Sequence, residues 1–197
     1  MNTMIVVVTP YQKLDHTHIQ RLCAIEPEID GVIFRTPMRK PELEKWILKL
    51  RDEGFPKSKM IVHTDVQLAD RLGIYRLHFR EGDVEAEHIK QKSPDYRISM
   101  STHSENSIRY AQAQRFDFVL FGHLFPTPSK PNQPPRSSSE IASVLSIDFP
   151  IIAIGGIRLE TIQNVPTGFS GIACIGSAFS NEIHQFKQMV TYWRAKE

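Results

Sequence analysis

Two cysteines, Cys23 and Cys174, are all that the 197 residues contain. One pair makes neither a disulfide framework nor a cysteine-rich zinc site. The histidines do not supply the missing ligands, because none are spaced as His-x-x-x-His beside carboxylates. Long apolar runs are also missing. Met4–Val8 and Ile151–Ile154 fall far short of the roughly 18–20 residues that cross a bilayer. No basic start leads into an apolar stretch of about 7–15 residues, so no secretory signal is expected and the expected location is cytoplasmic. Charge of one sign is scarce: 24 Lys+Arg face 22 Asp+Glu, a net charge of +2, with no long block of like charges. That argues against nucleic acid as a partner. A nucleophile elbow, P-loop, dinucleotide fingerprint and Cys–His pairing are absent as well. What remains is a chain of 197 residues, 41% hydrophobic, expected to fold as one soluble domain over 1–197.

Short β-branched runs recur along it, separated by helical stretches. Met4–Val8, Gly31–Phe34, Met60–His63, Tyr75–Phe79, Arg97–Met100, Phe116–Phe121, Ile151–Ile154 and Gly171–Ile175 read as eight strands. Several are almost continuously apolar, as parallel strands buried on both faces should be. Between them lie amphipathic helices. Pro41–Glu53 places Leu43, Trp46, Ile47 and Leu50 on one face, with Pro41 in the first turn and Gly54 at the exit. Asn181–Ala195 does the same with Ile183, Phe186, Met189, Val190 and Trp193. Strand starts are on average about 24 residues apart, which fits a compact α/β fold of the (β/α)8 TIM-barrel type. An open doubly wound sheet is the second choice, since eight strands exceed what it usually needs.

One segment breaks the rhythm. Gly122–Ser139 carries five prolines and no periodicity. Such a loop is usually an active-site lid or a disordered segment, and it follows the sixth strand, on the face where barrel active sites are built. Of the eight histidines, His16, His18, His88 and His184 fall in helical stretches and are expected in solvent. His63, His103 and His123 fall at strand ends and point to a barrel mouth, while His78 lies inside a strand. Two small-residue turns, Gly155-Gly156 after strand seven and Ile175-Gly176-Ser177 after strand eight, have the positions of a barrel phosphate site, where glycine lets the backbone approach an anion. Arg35, just past strand two, could meet a further anion or simply be solvated. Cys23 and Cys174 sit among apolar neighbours and read as packing.

These runs together resemble the thiamine-phosphate synthase superfamily over almost the whole chain. The resemblance lies in Phe34-Arg35, Ser101-Thr102-His103-Ser104, Phe116-Asp117-Phe118-Val119 leading to Gly122, Phe125-Pro126-Thr127-Pro128-Ser129-Lys130, and Ala153-Ile154-Gly155-Gly156-Ile157. It implies that Ser101, Thr127, Ser129 and Lys130 join Arg35 and the glycine turns in binding substrate. There are departures. Where synthases carry Gln-Leu-Arg-Glu-Lys and Asn-Asp-Arg to hold a pyrimidine diphosphate and its magnesium, this chain has Ile33-Phe34-Arg35-Thr36-Pro37 and His63-Thr64-Asp65. Asp83 matches one metal-associated aspartate, but its partner position is Thr64.

Where synthases read Gly-Pro, the chain reads Gly122-His123, which is similar to the thiazole tautomerase (TenI-type) branch. That likeness implies an isomerase of thiamine biosynthesis. His123 would move a proton from ring C2 of a carboxythiazole phosphate to an exocyclic carbon, so that the ring becomes aromatic. It implies no cofactor and no metal, with the thiazole phosphate as the small-molecule partner. His123 is expected beside the proline-rich segment 124–137 and opposite the glycine turns. A divergent synthase and a non-catalytic ligand-sensing protein are the alternatives, and homo-oligomerisation is left open.

Overall fold

The computed structural model describes residues 3–180 and 182–196. Eight strands are each paired in parallel with both neighbours in a closed barrel, in chain order. They are β1 (Met4–Val8), β2 (Gly31–Phe34), β3 (Met60–His63), β4 (Arg76–Phe79), β5 (Arg97–Thr102), β6 (Phe118–Gly122), β7 (Ile151–Ile154) and β8 (Gly171–Cys174). Closure comes from β1 and β8, where Met4 pairs with Gly171 and Val7 with Cys174. The fold is therefore a (β/α)8 barrel, and the open sheet is excluded.

The helices are α1 (His16–Ile25), α2 (Lys40–Asp52), α3 (Val66–Leu72), α4 (Val84–Lys92), α5 (Glu105–Ala113), α6 (Ser138–Leu145), α7 (Gly176–Phe179) and α8 (Ile183–Ala195). In α2 the expected face, Leu43, Trp46, Ile47 and Leu50, is buried, and Glu42 reaches back to the Arg39 amide. The expected start of the last helix, Asn181, lies outside the described residues. Between β7 and β8 the helix shrinks to one 3-10 turn, Ile162–Asn164. Pro166 follows it closely and cannot continue a helix.

Two apolar clusters divide the core. Inside the barrel, Val6, Val8, Ile33, Ile61, Phe118, Leu120, Ile152 and Ala173 pack together. The alternate residues of the same strands, such as Val7, Phe34, Val62, Val119 and Phe121, face the helices. This is the period-two alternation of a strand. All eight strand bounds agree with the expected ones within two residues. The first two residues of the expected sixth strand fall outside it, because the Phe116 amide donates to the Ala111 carbonyl at the end of α5.

His18 departs from the expected solvent exposure. It is buried, completes a capping box with Asp15 at the start of α1, and packs 5.7 Å from the Phe179 ring. A cap residue is held against its own helix end, so the helical spacing alone did not fix its exposure. Cys23 is half-buried and Cys174 fully buried.

The barrel interior offers little room to collapse around a lost side chain. Phe118→Ala should therefore cost about 3–5 kcal/mol. Urea unfolding followed by Trp46 and Trp193 fluorescence would measure it, and a loss near zero would mean that the interior cluster is not load-sharing.

Candidate active site

At the C-terminal mouth of the barrel the strand ends surround a cavity of about 900 Å³. Every sequence-predicted site residue lines it: His123, Arg35 and Ser101; Thr127, Ser129 and Lys130; and Gly155, Gly156, Ile175, Gly176 and Ser177. The cavity also takes in residues that the sequence reading passed over, notably Arg80 and Glu81. Both stand just past β4, the same strand-end position that drew attention to Arg35 and His103. The signal was there but was applied only to histidines and one arginine.

His123 follows β6 directly, after a cis Gly122–His123 peptide. It is buried at the cavity wall. Its Nε2 lies 3.2 Å from the Gln133 carbonyl, which can only accept, so Nε2 carries a proton; in the neutral ring this leaves the lone pair on Nδ1. The returning end of the proline-rich segment holds the same residue from the other side. The Arg136 amide donates to the His123 carbonyl at 2.9 Å, and Arg136 Nε donates to the Gly122 carbonyl at 3.0 Å. Arg136 also pairs with Glu140 and stacks over Phe121. Nothing in the sequence flagged it, because it ends a segment with no periodicity.

One expectation is corrected. His123 does not face the Gly155–Gly156 turn across the mouth; it stands beside it. Strand β6 pairs with β7, and the Leu124 and Phe125 amides continue that pairing onto the Ile154 and Gly155 carbonyls. A Cβ on Gly155 would lie 2.1 Å from His123 Cβ, and one on Gly156 would lie 2.7 Å from the Pro126 carbonyl oxygen. Both glycines also have positive φ, 101° and 68°. Close packing against the β6 extension thus demands glycine at both positions. Gly176 differs: nothing stands within 4 Å of where its Cβ would be. Ser177 donates from its hydroxyl to the Ile157 carbonyl at 3.0 Å, which ties the β8 turn to the β7 turn.

Across the cavity the wall is polar. Ser99 Oγ donates to the Leu77 carbonyl, so it accepts from His78 Nδ1 at 2.9 Å. His78 Nε2 then accepts from Ser101 Oγ at 2.9 Å. Every donor in this chain is used. Burial pushes His78 down to about 3, and the neighbouring His63 adds to the effect. The His63 ring stacks on it with centroids 6.0 Å apart. Burial also pushes His63 down to about 4, helped by Arg80 and Arg35. His103 pairs through Nδ1 with Glu81 at the rim. Cys174 lines the cavity too, but burial pushes its thiol up to about 12, so it is no nucleophile at neutral pH.

The protein is thus a (β/α)8 barrel whose cavity is built from strand-end residues and the loops that follow them. Residues 5–178 match the family described as thiamine monophosphate synthase, and the chain belongs to that family. Over 128 residues it is 30% identical to the thiamine-phosphate synthase of Yersinia pestis, a match covering 61% of this chain and 59% of that protein. Over 123 residues it is 37% identical to the thiamine-phosphate synthase of Chlorobium phaeovibrioides, covering 59% and 58%. The matches thus span less than two thirds of these curated relatives. Thiamine phosphate pyrophosphorylase from Pyrococcus furiosus has the same fold, with a TM-score of 0.76 at 19% identity over 97% of this chain and 96% of that one.

The magnesium implied by the synthases does not fit the residues present. Asp83 caps α4 by accepting from the Glu85 amide, and Asp65 caps α3 while pairing with Lys40. Among the described residues no three His, Cys, Asp or Glu side chains gather as a metal site.

The low pKa of His63 has a consequence for stability. Unfolded, the residue titrates near 6.5; folded, near 4. Between those values the unfolded chain binds more protons, so stability is lost as pH falls through that window, by about 1.4 kcal/mol for each unit of the shift. The urea midpoint should therefore fall more steeply between pH 6.5 and 4 in the native protein than in His63→Asn. Parallel curves would show that His63 is not held neutral.

Proposed function

We propose that the protein is a thiazole tautomerase of thiamine biosynthesis that converts a carboxythiazole phosphate to its aromatic tautomer. The observation that carries this reading is His123: a buried imidazole on the cavity wall whose proton is fixed on Nε2 by the Gln133 carbonyl. Its Nδ1 takes the proton from ring C2. The ring double bonds shift, and the same proton returns to the exocyclic carbon. One C–H bond breaks and one forms, so neither an oxidant nor a net proton is needed. Histidine is the side chain most often used to take and return a proton near neutral pH, which suits both halves of such a transfer.

The substrate phosphate is assigned to the β7 and β8 turns, where Gly176 leaves the backbone open toward the cavity. Thr127, Ser129 and Lys130 are assigned to the same ligand from the loop side. A second reading, a thiamine-phosphate synthase, is favoured by the names of the curated relatives. It requires a magnesium site that Asp83 and Thr64 do not compose.

Glycine substitutions separate anion binding from packing. Gly176→Val places its side chain in open space, so it should leave the urea midpoint near that of the native protein and weaken thiazole phosphate binding. Gly156→Ala should instead destabilise the fold, because its Cβ meets Phe125 and Pro126. If Gly176→Val bound the phosphate as tightly as the native protein, the assignment of the turn would be wrong.

The reaction itself is tested with the purified thiazole tautomer. His123→Gln should lower kcat by roughly 10²–10⁴ with little change in KM, since the phosphate contacts lie elsewhere. Near-native turnover by this variant would move the role to another histidine. Chelator-sensitive joining of pyrimidine diphosphate to thiazole phosphate by the native protein would establish the synthase instead.

A further inference from the structure

Three consecutive strands end in basic side chains. Arg35 follows β2, His63 ends β3 and Arg80 follows β4. All three line the mouth cavity. In a closed order of eight strands β3 lies diametrically across from β7, so this arc faces the Gly155–Gly156 turn over the width of the mouth.

Among the described residues neither Arg35 nor Arg80 is ion-paired, whereas Arg136 and Arg158, elsewhere on the rim, are paired with Glu140 and Glu160. The carboxylates of the same arc are committed. Glu81 holds His103, and Asp83 caps α4. Arg35 lies 4.6 Å above the Tyr11 ring centroid, a contact that orients a guanidinium without using its fork of N–H donors. His63, between the two arginines, is kept uncharged by burial and by their proximity. The arc therefore carries two guanidiniums without a salt-bridge partner and a neutral hydrogen-bonding ring. Cations held in this way beside a cavity are suited to an anion, and the fork of a guanidinium matches a planar carboxylate.

We propose that Arg80, together with Arg35, forms a second anion subsite that needs no metal and takes the ring carboxylate of a ligand whose phosphate lies at the opposite turns. The identity of that ligand rests on the tautomerase reading. Arg80 is then the specificity residue: it separates a carboxylated thiazole phosphate from one lacking the carboxylate.

Calorimetry tests this with two non-reacting probes, the aromatic carboxythiazole phosphate and the same thiazole phosphate without its carboxylate, each with magnesium and with a chelator. The native protein should bind the carboxylated probe about 10- to 100-fold more tightly, the range expected for charge-assisted hydrogen bonds, with or without chelator. Arg80→Gln should reduce that preference to about threefold or less and leave the affinity for the other probe unchanged, and Arg80→Lys should restore part of it.

A preference retained in Arg80→Gln overturns the subsite while leaving the tautomerase reading to its own turnover assay. A preference seen only with magnesium also overturns it. An Arg80-dependent preference in a protein that does not turn over the tautomer keeps the subsite and rejects the tautomerase. Failure of the native protein to bind either probe overturns both.

Discussion

A closed parallel barrel imposes one geometric constraint from which the rest of the molecule follows. Each strand must point alternate residues inward, and each must deliver its last residue to the same rim. Phe118, Leu120 and Gly122 on β6 therefore run up the inside in register, and His123 comes next at the mouth. On β4 and β5 the same period places His78, Ser99 and Ser101 inward. The interior is consequently two-sided, apolar along β1–β3 and β6–β8 and polar along β4 and β5, with His63 at the rim end of β3. The polar side is tolerable only because its donors and acceptors close into a chain from the Leu77 carbonyl through Ser99 and His78 to Ser101. Removing any member would leave a buried group without a partner, a cost of about 1–3 kcal/mol.

The segment between β6 and α6 acts on this frame as a clamp. Its first residues lengthen β6 along β7, and its last residue but one, Arg136, returns to hold the carbonyls of Gly122 and His123. Five prolines in Gly122–Ser139 lower the entropy that an 18-residue stretch would otherwise lose on ordering, since each fixes its own φ and restricts its neighbour. The tight approach of Gly155 and Gly156 to His123 and Phe125 belongs to the same arrangement. A side chain at either position would push the clamp outward and take the imidazole with it.

Much of this was legible in the sequence, for reasons that can be named. The strands showed because both of their faces are buried, which leaves an apolar run bounded by turn residues. The strand-end histidines and the two glycine turns showed because the fold puts such positions at one mouth. What did not show depends on pairing across the sequence. His123 was expected opposite the glycine turns, yet neighbouring strands in a barrel share a rim, so β6 and β7 bring them side by side. Arg136 is bound by partners 13 and 14 residues away along a segment without regular structure, beyond the reach of any periodicity. The missing helix before β8 was signalled by Pro166 and Gly168, which the strand spacing alone outweighed.

The arc from β2 to β4 is where relatives on one barrel can part in chemistry. A diphosphate held through magnesium needs carboxylates near the mouth that are free to ligate the cation. Here the carboxylates are occupied in caps and pairs while Arg35 and Arg80 stand unpaired among the described residues. An arc of this kind suits the carboxylate subsite proposed above, which takes its anion without a metal. The turns after β7 and β8 are glycine-rich and carry no charge of their own, so they can take a phosphate through backbone amides. A ligand spanning both would be fixed at its two ends, with its ring held between them beside His123. Holding both ends also limits the motion of the reacting carbon atoms relative to one imidazole, the condition under which a single residue can remove a proton from one and return it to the other.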